Sequence, residues 1–213
     1  MSVYNGMPYL KEAVQSILTQ TYKNFEFIIV DDASTDSSWQ YLKSLKDKRI
    51  KLIKNKKNLG LAKSLNKALQ KASGEFIARM DADDISSPTR FEVQIKYLME
   101  NPMVDLCGTW VDLIDELGKV IGDKKYPTDP SKVRNAITWY PAVVHPTYMA
   151  RINFLKDLGG YRTGFDFAED YDLLSRAKND YVIANIPKKL LQWRLWNKRR
   201  SRENMIKMDK VDL

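Results

Sequence analysis

The alternation of strands and helices along the first hundred residues constrains the fold of this chain more than any other feature. Residues 25–30 read Phe-Glu-Phe-Ile-Ile-Val, a near-continuous apolar run that predicts a strand covered on both faces. Apolar residues at helical spacing precede this run at 10–18 and return at 61–72. Short strands are predicted at 50–53 and 75–80. This order predicts an α/β fold with a mostly parallel sheet flanked by helices.

The second half of the chain is less regular, and we expect it to pack on the same sheet within a single domain. The length of 213 residues suits one domain. Besides helices at 37–47 and 88–99, the pattern predicts a strand at 104–114, helices at 131–139 and 169–178, and short strands at 181–186 and 190–195.

The expected first strand is the exception to this regular pattern. The order of elements requires an apolar strand before Tyr4-Asn5-Gly6, and residues 1–4 alone stand there. Either this strand is unusually short, or the chain lacks a few residues that normally precede it. We therefore expect a truncated first strand at the centre of the sheet.

Composition excludes several classes of function. The chain has one cysteine, Cys107, and one histidine, His145, so an intramolecular disulfide and a Cys- or His-based zinc site are excluded. A Ser-His-Asp or Cys-His hydrolase would have to use His145. No apolar stretch approaches the roughly 18–20 residues of a membrane span. We expect a soluble, cytoplasmic protein with Cys107 in its core.

Charge is unevenly distributed along the chain. The formal net charge is +8, with basic residues concentrated at 43–57 and 188–202. Acidic residues gather instead at Asp31-Asp32, Asp81–Asp84 and Glu169–Asp172. A basic protein with acidic islands suggests anionic ligands together with metal or acid/base chemistry.

Two of the acidic islands follow predicted strands directly. Asp31-Asp32 comes after the strand ending at Val30, and Asp81-Ala82-Asp83-Asp84 comes after the strand ending at Met80. Ligands bind at the carboxyl ends of strands in open α/β sheets, so both islands are expected at one edge. Neighbouring carboxylates repel one another, and a divalent cation is the simplest way to hold them together.

Structural roles for the same residues stay open at this point. Asp31 or Asp36 could cap the following helix, and acidic loops are common at protein surfaces. The segment after Met80 also matches a calcium-binding EF-hand loop at three positions. We reject that reading because Ile85 stands where a ligand is needed and Ser86 where the loop requires glycine.

Taken together, the short motifs of the chain resemble those of family 2 glycosyltransferases, inverting enzymes of the Rossmann-like GT-A fold that use nucleotide-activated sugars. The ordered matches cover roughly residues 1–195. They are Ser2-Val3-Tyr4-Asn5-Gly6, residues 16–22, Val30-Asp31-Asp32-Ala33-Ser34-Thr35-Asp36, Asn58-Leu59-Gly60, residues 74–77, Asp81-Ala82-Asp83-Asp84, Gly159-Gly160-Tyr161-Arg162 and Glu169-Asp170-Tyr171-Asp172-Leu173.

The resemblance implies a donor site in residues 1–100. Tyr4 would lie against the nucleotide base, and Asp32 would hydrogen-bond the edge of the base. Lys63 would meet the base or the phosphates. Asp83 would be the main ligand of Mn²⁺ or Mg²⁺, with Asp81 beside it near the ribose and diphosphate of a nucleoside-diphosphate sugar. Asp84 is a further candidate contact.

The resemblance also implies an acceptor-binding half in residues 101–213. Asp170 would be the catalytic base that removes a proton from an acceptor hydroxyl, and attack opposite the leaving group would invert the anomeric configuration. Without the resemblance, Glu169 and Asp170 would be read as acids favouring a helix N-terminus. The alternative function is a catalytically weak nucleotide-sugar-binding protein, impaired by the truncated first strand.

The acceptor is expected to be a saccharide or lipid-linked saccharide in bacterial cell-surface polysaccharide synthesis. Nucleic acid is not an expected partner, because the sequence lacks a recognised motif and interleaved exposed aromatics. Trp193, Trp196 and the basic run 198–202 fit either a contact with the inner face of the membrane or core tryptophans with a solvated tail. Family members often carry a histidine at the place of Trp196, and Arg194 is a candidate phosphate contact. His145 is expected near the acceptor, with either a structural or a functional role.

Overall fold

The protein was analysed as a computed structural model, which describes residues 1–165 and 167–195. Its first sheet is parallel, with the order β1-β2-β3. The elements of this part are β1 (Ser2–Val3), α1 (Leu10–Leu18), β2 (Phe27–Asp31), α2 (Ser38–Ser44), β3 (Ile50–Lys54) and α3 (Leu61–Lys71). They follow the strand-helix alternation predicted from the sequence, since the apolar stripe of α1 is buried and all five residues of β2 are buried.

The second sheet has six strands in the order β4-β8-β6-β9-β5, with β7 paired to β6. The elements are β4 (Phe76–Ala78), β5 (Ile85–Ser86), α4 (Arg90–Glu100), β6 (Leu106–Ile114), β7 (Val120–Lys124), α5 (Pro130–Ile137), a 3₁₀ turn (His145–Thr147), β8 (Met149–Arg151), α6 (Ile152–Asp157), α7 (Glu169–Ala177) and β9 (Ile183–Arg194).

The α/β fold is confirmed, but the second sheet is mixed rather than mostly parallel. Its β6–β9 pair is parallel, whereas β4–β8, β5–β9, β6–β7 and β6–β8 are antiparallel. The tight turn at residues 115–119 explains β7, because a short connection can only return the chain antiparallel.

The two short strands predicted at 181–186 and 190–195 are one strand, β9, in the structure. Its register against β6 shifts between Thr109 and Trp110, opposite Pro187 and Lys188. Proline has no N–H to donate to the ladder, so it is tolerated where the pairing is irregular. The break in the sequence pattern therefore marks an irregularity within a strand, not the end of one.

β1 is short, as the sequence predicts, and the two sheets are separate. β1 has two residues, and the Met1 amine donates to the Ile28 carbonyl at 2.9 Å. A cleft of about 700 Å³ lies between β2 and β4, with Phe27, Ile28 and Phe76 among the residues that line it. β4 pairs with β8 along one backbone edge, and this pairing continues where the Arg79 N–H donates to the Tyr148 carbonyl. The opposite backbone edge of β4 therefore faces the cleft.

Two buried clusters form the core. Cys107 is fully buried in the larger one, as expected from the sequence, and Trp193 packs against the same cluster. Among the described residues no helix is both long and apolar enough to cross a membrane. Trp196 and the basic run 198–202 lie outside the described residues, so the membrane-surface expectation stays a prediction.

Candidate active site

The loop after β1 is fastened to the loop after β2 by polar side chains. Asn5 adopts a left-handed backbone conformation (φ 51°), and its Oδ1 accepts a hydrogen bond from the Thr35 N–H at 2.8 Å. Asp36 accepts from the Met7 N–H at 3.1 Å and from the Ser38 N–H at 2.9 Å. Asp36 therefore helps to cap α2, one of the structural readings left open by the sequence, and also joins the two loops.

Tyr4 lies at the mouth of this pair of loops. Tyr4 is the residue after the last residue of β1, and it is 52% exposed. The ring is therefore accessible to a planar ligand, as the sequence analysis expected for a residue lying against a nucleotide base. The contact with a base stays a prediction.

The Asp32 carboxylate is buried and holds the loop that leads into α3. Oδ1 accepts from the Asn55 side-chain amide at 2.7 Å and from the Leu59 N–H at 2.8 Å, while Oδ2 accepts from the Gly60 N–H at 2.9 Å. A carboxylate offers about four acceptor positions, so these three bonds leave capacity for one more donor. The expected bond from Asp32 to the edge of a base stays a prediction. The structure shows in addition that Asp32 holds the loop before α3 in place.

Lys63 and Lys67 occupy different surroundings on α3. Lys63 is exposed on the first turn. Lys67 donates to Asn55 Oδ1 at 2.8 Å, and Asn55 in turn donates to Asp32. The cation joined to the Asp32 network is therefore Lys67, which sequence reasoning missed although it lies one helical turn after Lys63.

The Asp81, Asp83 and Asp84 carboxylates converge after β4. One oxygen from each lies within 4.8 Å of the others, so the three side chains present a compact set of hard oxygen ligands. Arg79 Nη1 lies 2.6 Å from Asp81 Oδ2, and Asp84 Oδ1 accepts from the Arg194 N–H at 2.9 Å. Asp84 is fully buried, whereas Asp81 and Asp83 are half-buried. The acids after β4 therefore form one compact cluster. That Asp31 and Asp32 share an edge with them stays a prediction, because β2 and β4 belong to different sheets.

Arg194 holds the loop of Asp81–Asp84 in place by hydrogen bonds. Its guanidinium is buried, and Nε donates to the Asp83 carbonyl at 2.9 Å. Nη1 donates to the carbonyls of Asp115 at 3.1 Å and Glu116 at 3.2 Å, and Nη2 pairs with Glu12. Arg194, which the sequence analysis gave as a candidate phosphate contact, thus binds protein groups in this structure.

Asp170 stands in the first turn of α7. Its Oδ1 accepts from the Tyr171 N–H at 2.8 Å. Burial raises the pKa of Asp170 above its usual range, and the Asp81 charge acts in the same direction. The Tyr171 N–H and the Arg79 charge oppose that rise in pKa. Arg79 therefore interacts electrostatically with both the acidic loop and Asp170.

A buried polar group completes the site. His145 Nε2 and Tyr161 Oη are 2.9 Å apart, and burial together with the Arg79 charge lowers the pKa of His145 well below its usual value. His145 is therefore neutral and hydrogen-bonded at pH 7. Tyr148 is also buried, and its hydroxyl has no hydrogen-bond partner among the described residues. Burial and the Asp170 charge raise the pKa of Tyr148 well above its usual value.

Sequence reasoning missed Arg79, Tyr148 and Tyr161 as members of this group. A signal for Arg79 was present, because a basic residue at the end of a strand, two positions before an acidic cluster, is expected to face the same edge. Tyr161 lies within the Gly159-Gly160-Tyr161-Arg162 match, whereas no local signal existed for Tyr148. The contacts of both depend on distant segments.

The comparisons with known proteins agree with this geometry. The model of the family described as glycosyl transferase family 2 matches residues 1–159. The O-antigen biosynthesis glycosyltransferase WbnJ of Escherichia coli is 35% identical over 207 residues, which cover 93% of this chain and 79% of WbnJ.

Two solved structures share the fold. Staphylococcus aureus TarS 1–349 in complex with UDP superposes with a TM-score of 0.74 at 23% identity, covering 91% of this chain and 59% of that one. The mannosyltransferase PcManGT from Pyrobaculum calidifontis, in complex with GDP-Man and Mn²⁺, gives a TM-score of 0.70 at 21% identity, covering 96% of this chain and 57% of that one. The chain thus spans less than two thirds of each of these structures.

Proposed function

Because the chain belongs to glycosyl transferase family 2, we propose that it transfers a sugar from a nucleoside-diphosphate donor to an acceptor hydroxyl. The observation that carries this proposal is a compact acidic cluster that interacts electrostatically with a further buried acid. Asp81, Asp83 and Asp84 form the cluster, and the Asp170 carboxyl interacts with Asp81 and with Arg79.

The donor half comprises residues 1–100 in this proposal. Tyr4 lies against the base, and Asp32 uses its remaining acceptor capacity for the base edge while holding the loop before α3. Lys63 is exposed and meets the base or the phosphates. The UDP and GDP-Man complexes of the two structural neighbours support a nucleoside-diphosphate donor.

Asp83 and Asp81 are the proposed ligands of Mn²⁺ or Mg²⁺. Their carboxylate oxygens are the hard ligands that both ions prefer, and the compact cluster fits one cation. The ion, when bound, neutralises charge that develops on the departing nucleoside diphosphate. Arg79 keeps the Asp81 carboxylate oriented by contact at 2.6 Å, and Arg194 holds the Asp83 backbone.

Asp170 is the proposed catalytic base. Its ionised carboxylate accepts the proton of the acceptor hydroxyl as the oxygen attacks the anomeric carbon, and the bond from that carbon to the diphosphate breaks. Attack from the face opposite the diphosphate inverts the configuration. A raised pKa suits this role, because a base is most effective when its pKa approaches the working pH. The acceptor half comprises residues 101–213.

The acceptor in this proposal is a saccharide or lipid-linked saccharide of a bacterial cell-surface polysaccharide. Support comes from the similarity to WbnJ, whose name assigns it to O-antigen biosynthesis. Activity at the cytoplasmic face of the membrane would give the enzyme access to a lipid-linked acceptor. Nucleic acid has no place in this scheme.

The second candidate is a nucleotide-sugar-binding protein with weak catalysis. The two-residue β1 and the cleft beside it favour this alternative, because Tyr4 and Asn5 emerge from a strand with few ladder contacts. Tight nucleotide binding without turnover of any donor would distinguish it from the enzyme.

Calorimetric titration of UDP, GDP, dTDP and CDP, each with and without Mn²⁺, tests the donor site. We expect one nucleotide to bind selectively and only with metal, and Asp83→Asn to abolish the metal-dependent part. Asp157→Asn is the matched control, because Asp157 is an exposed carboxylate on α6. Equal binding by Asp83→Asn and the parent protein would contradict the proposal.

A further inference from the structure

Four exposed aromatic side chains lie in the two segments beside Asp170, and Phe167, 44% exposed, is the one closest to Asp170 in sequence. Trp139 and Tyr140, which follow α5, are 82% and 41% exposed, and Phe165, which precedes α7, is 44% exposed. We refer to Trp139, Tyr140 and Phe165 as the aromatic rim. Large aromatic side chains that remain exposed mark binding surfaces more often than isolated exposed aliphatic ones do.

The aromatic rim borders the first turn of α7. Tyr171, the neighbour of Asp170, donates from its hydroxyl to the Thr138 carbonyl at 3.1 Å, which places Trp139 beside this turn. The Ala168 N–H donates to the Phe165 carbonyl at 2.9 Å, so Phe165 stands just before the same turn. Both segments are therefore fixed to the element that carries Asp170.

A second observation links the rim to the interior of the site. The Tyr140 ring stacks on Tyr126, with centroids 5.9 Å apart, and Tyr126 and Asp170 both interact electrostatically with Tyr148. The Tyr148 hydroxyl is buried without a partner among the described residues. A buried hydroxyl without a partner is costly, and a polyhydroxylated ligand can satisfy it.

The chemistry of the rim fits a sugar ring better than an extended apolar ligand. A pyranose presents a face of C–H groups, which carry partial positive charge and pack on the negative face of an aromatic ring. Its edges carry hydroxyls that need polar partners. Aromatic faces together with the Asp170 carboxylate offer both kinds of contact.

We propose that the aromatic rim is a saccharide-acceptor subsite, on which one pyranose ring stacks while a hydroxyl of that ring reaches Asp170. This inference rests on the proposed function and adds residues that determine acceptor binding. Trp139, the most exposed member, supplies the main stacking surface. Tyr148 hydrogen-bonds a second hydroxyl and sets the orientation of the ring.

Saturation-transfer NMR with methyl β-D-glucoside, methyl β-D-galactoside, methyl α-D-mannoside and methyl β-D-N-acetylglucosaminide, in the presence of UDP and Mn²⁺, tests this subsite. We expect saturation on the ring C–H protons of at least one glycoside. Trp139→Ala and Phe165→Ala should weaken its binding about fivefold to tenfold, while Trp139→Phe retains most of it. Tyr148→Phe should weaken glycoside binding without lowering the melting temperature.

Met103→Ala is the control, because Met103 is a large, 77% exposed apolar residue between α4 and β6. Unchanged glycoside binding in both Trp139→Ala and Phe165→Ala, or no binding of any of the four glycosides, would overturn the inference. If Trp139→Ala lost binding to phosphatidylglycerol vesicles and kept its glycoside binding, the rim would be assigned to a membrane instead. UDP titrations of the same variants separate this outcome from failure of the donor site, because the rim variants should bind UDP and Mn²⁺ normally.

Discussion

Replacing Arg194 with methionine tests whether this buried cation supports the acidic loop or binds a phosphate. Methionine retains much of the buried aliphatic volume and removes all guanidinium donors. The Asp83 carbonyl then loses its donor at 2.9 Å, and the carbonyls of Asp115 and Glu116 lose theirs at 3.1 and 3.2 Å. We expect Arg194→Met to destabilise the fold and to loosen the metal-binding loop together.

The magnitude follows from how far each acceptor can recover by binding water. A buried acceptor without a partner costs about 1–3 kcal/mol, and this applies most fully to Asp83. Asp115 and Glu116 lie in the turn between β6 and β7 and regain water, while Glu12, with a side chain 54% exposed, contributes little. The sum is about 2–4 kcal/mol, which overlaps the typical cost of breaking a buried charge pair. In a chain of this length that lowers the melting temperature by about 4–16 °C.

Thermal unfolding followed by circular dichroism, with Mn²⁺ and UDP titrations on the same samples, measures both effects. Arg162→Met is the control, because the Arg162 side chain is 60% exposed and lies 3.8 Å from Asp172. Arg162→Met should cost less than about 1 kcal/mol, because Arg162 is exposed and Asp172 keeps Arg176 as its partner at 2.9 Å. An unchanged melting temperature combined with lost UDP affinity would refute the reasoning and return Arg194 to the phosphate site.

Two further predictions concern the base and the first strand. Asp170→Asn should bind UDP and Mn²⁺ normally and lose transfer activity roughly 10²–10⁴-fold, and equal turnover by this variant would remove the assignment. Burial raises the pKa of Asp170 above 3.8, the usual value for an aspartate. The activity of the parent protein should therefore already fall, as the pH decreases, at pH values above 3.8. Four β-branched residues added ahead of Met1 should occupy the cleft beside β2 and stabilise the fold by about 2 kcal/mol in thermal unfolding, whereas a Gly-Ser extension of equal length should not. Equal melting temperatures for the two extensions would contradict that reading of the cleft.

Much of the fold was predictable because its signals are local. The predicted helices at 10–18 and 61–72 agree closely with α1 and α3, and the apolar run at 25–30 overlaps β2 almost completely. Hydrophobic periodicity reports which face of an element is buried, and this information is complete within a few turns. The two-residue β1 was equally visible, since it depends only on how many apolar residues precede Tyr4.

The candidate site was predictable to the extent that strand ends reveal it. Asp81 and Asp83 follow β4, and the structure confirms that they form one compact cluster with Asp84. Their roles as metal ligands, and those of Tyr4, Asp32, Lys63 and Asp170, stay predictions, because a position at a sheet edge does not specify a ligand. The three bonds that Asp32 accepts from the loop before α3 were not foreseeable from its position alone.

The amino-acid sequence by itself determined the strand-helix alternation, the short first strand and the acidic cluster after β4, because each depends on neighbours along the chain. Only the tertiary structure decided the mixed pairing of the second sheet and the contact of Arg194 with Asp83, 111 residues away. The same holds for the hydrogen bond between His145 and Tyr161. These contacts satisfy buried polar groups, and which partner satisfies each one depends on how distant segments pack rather than on any local pattern.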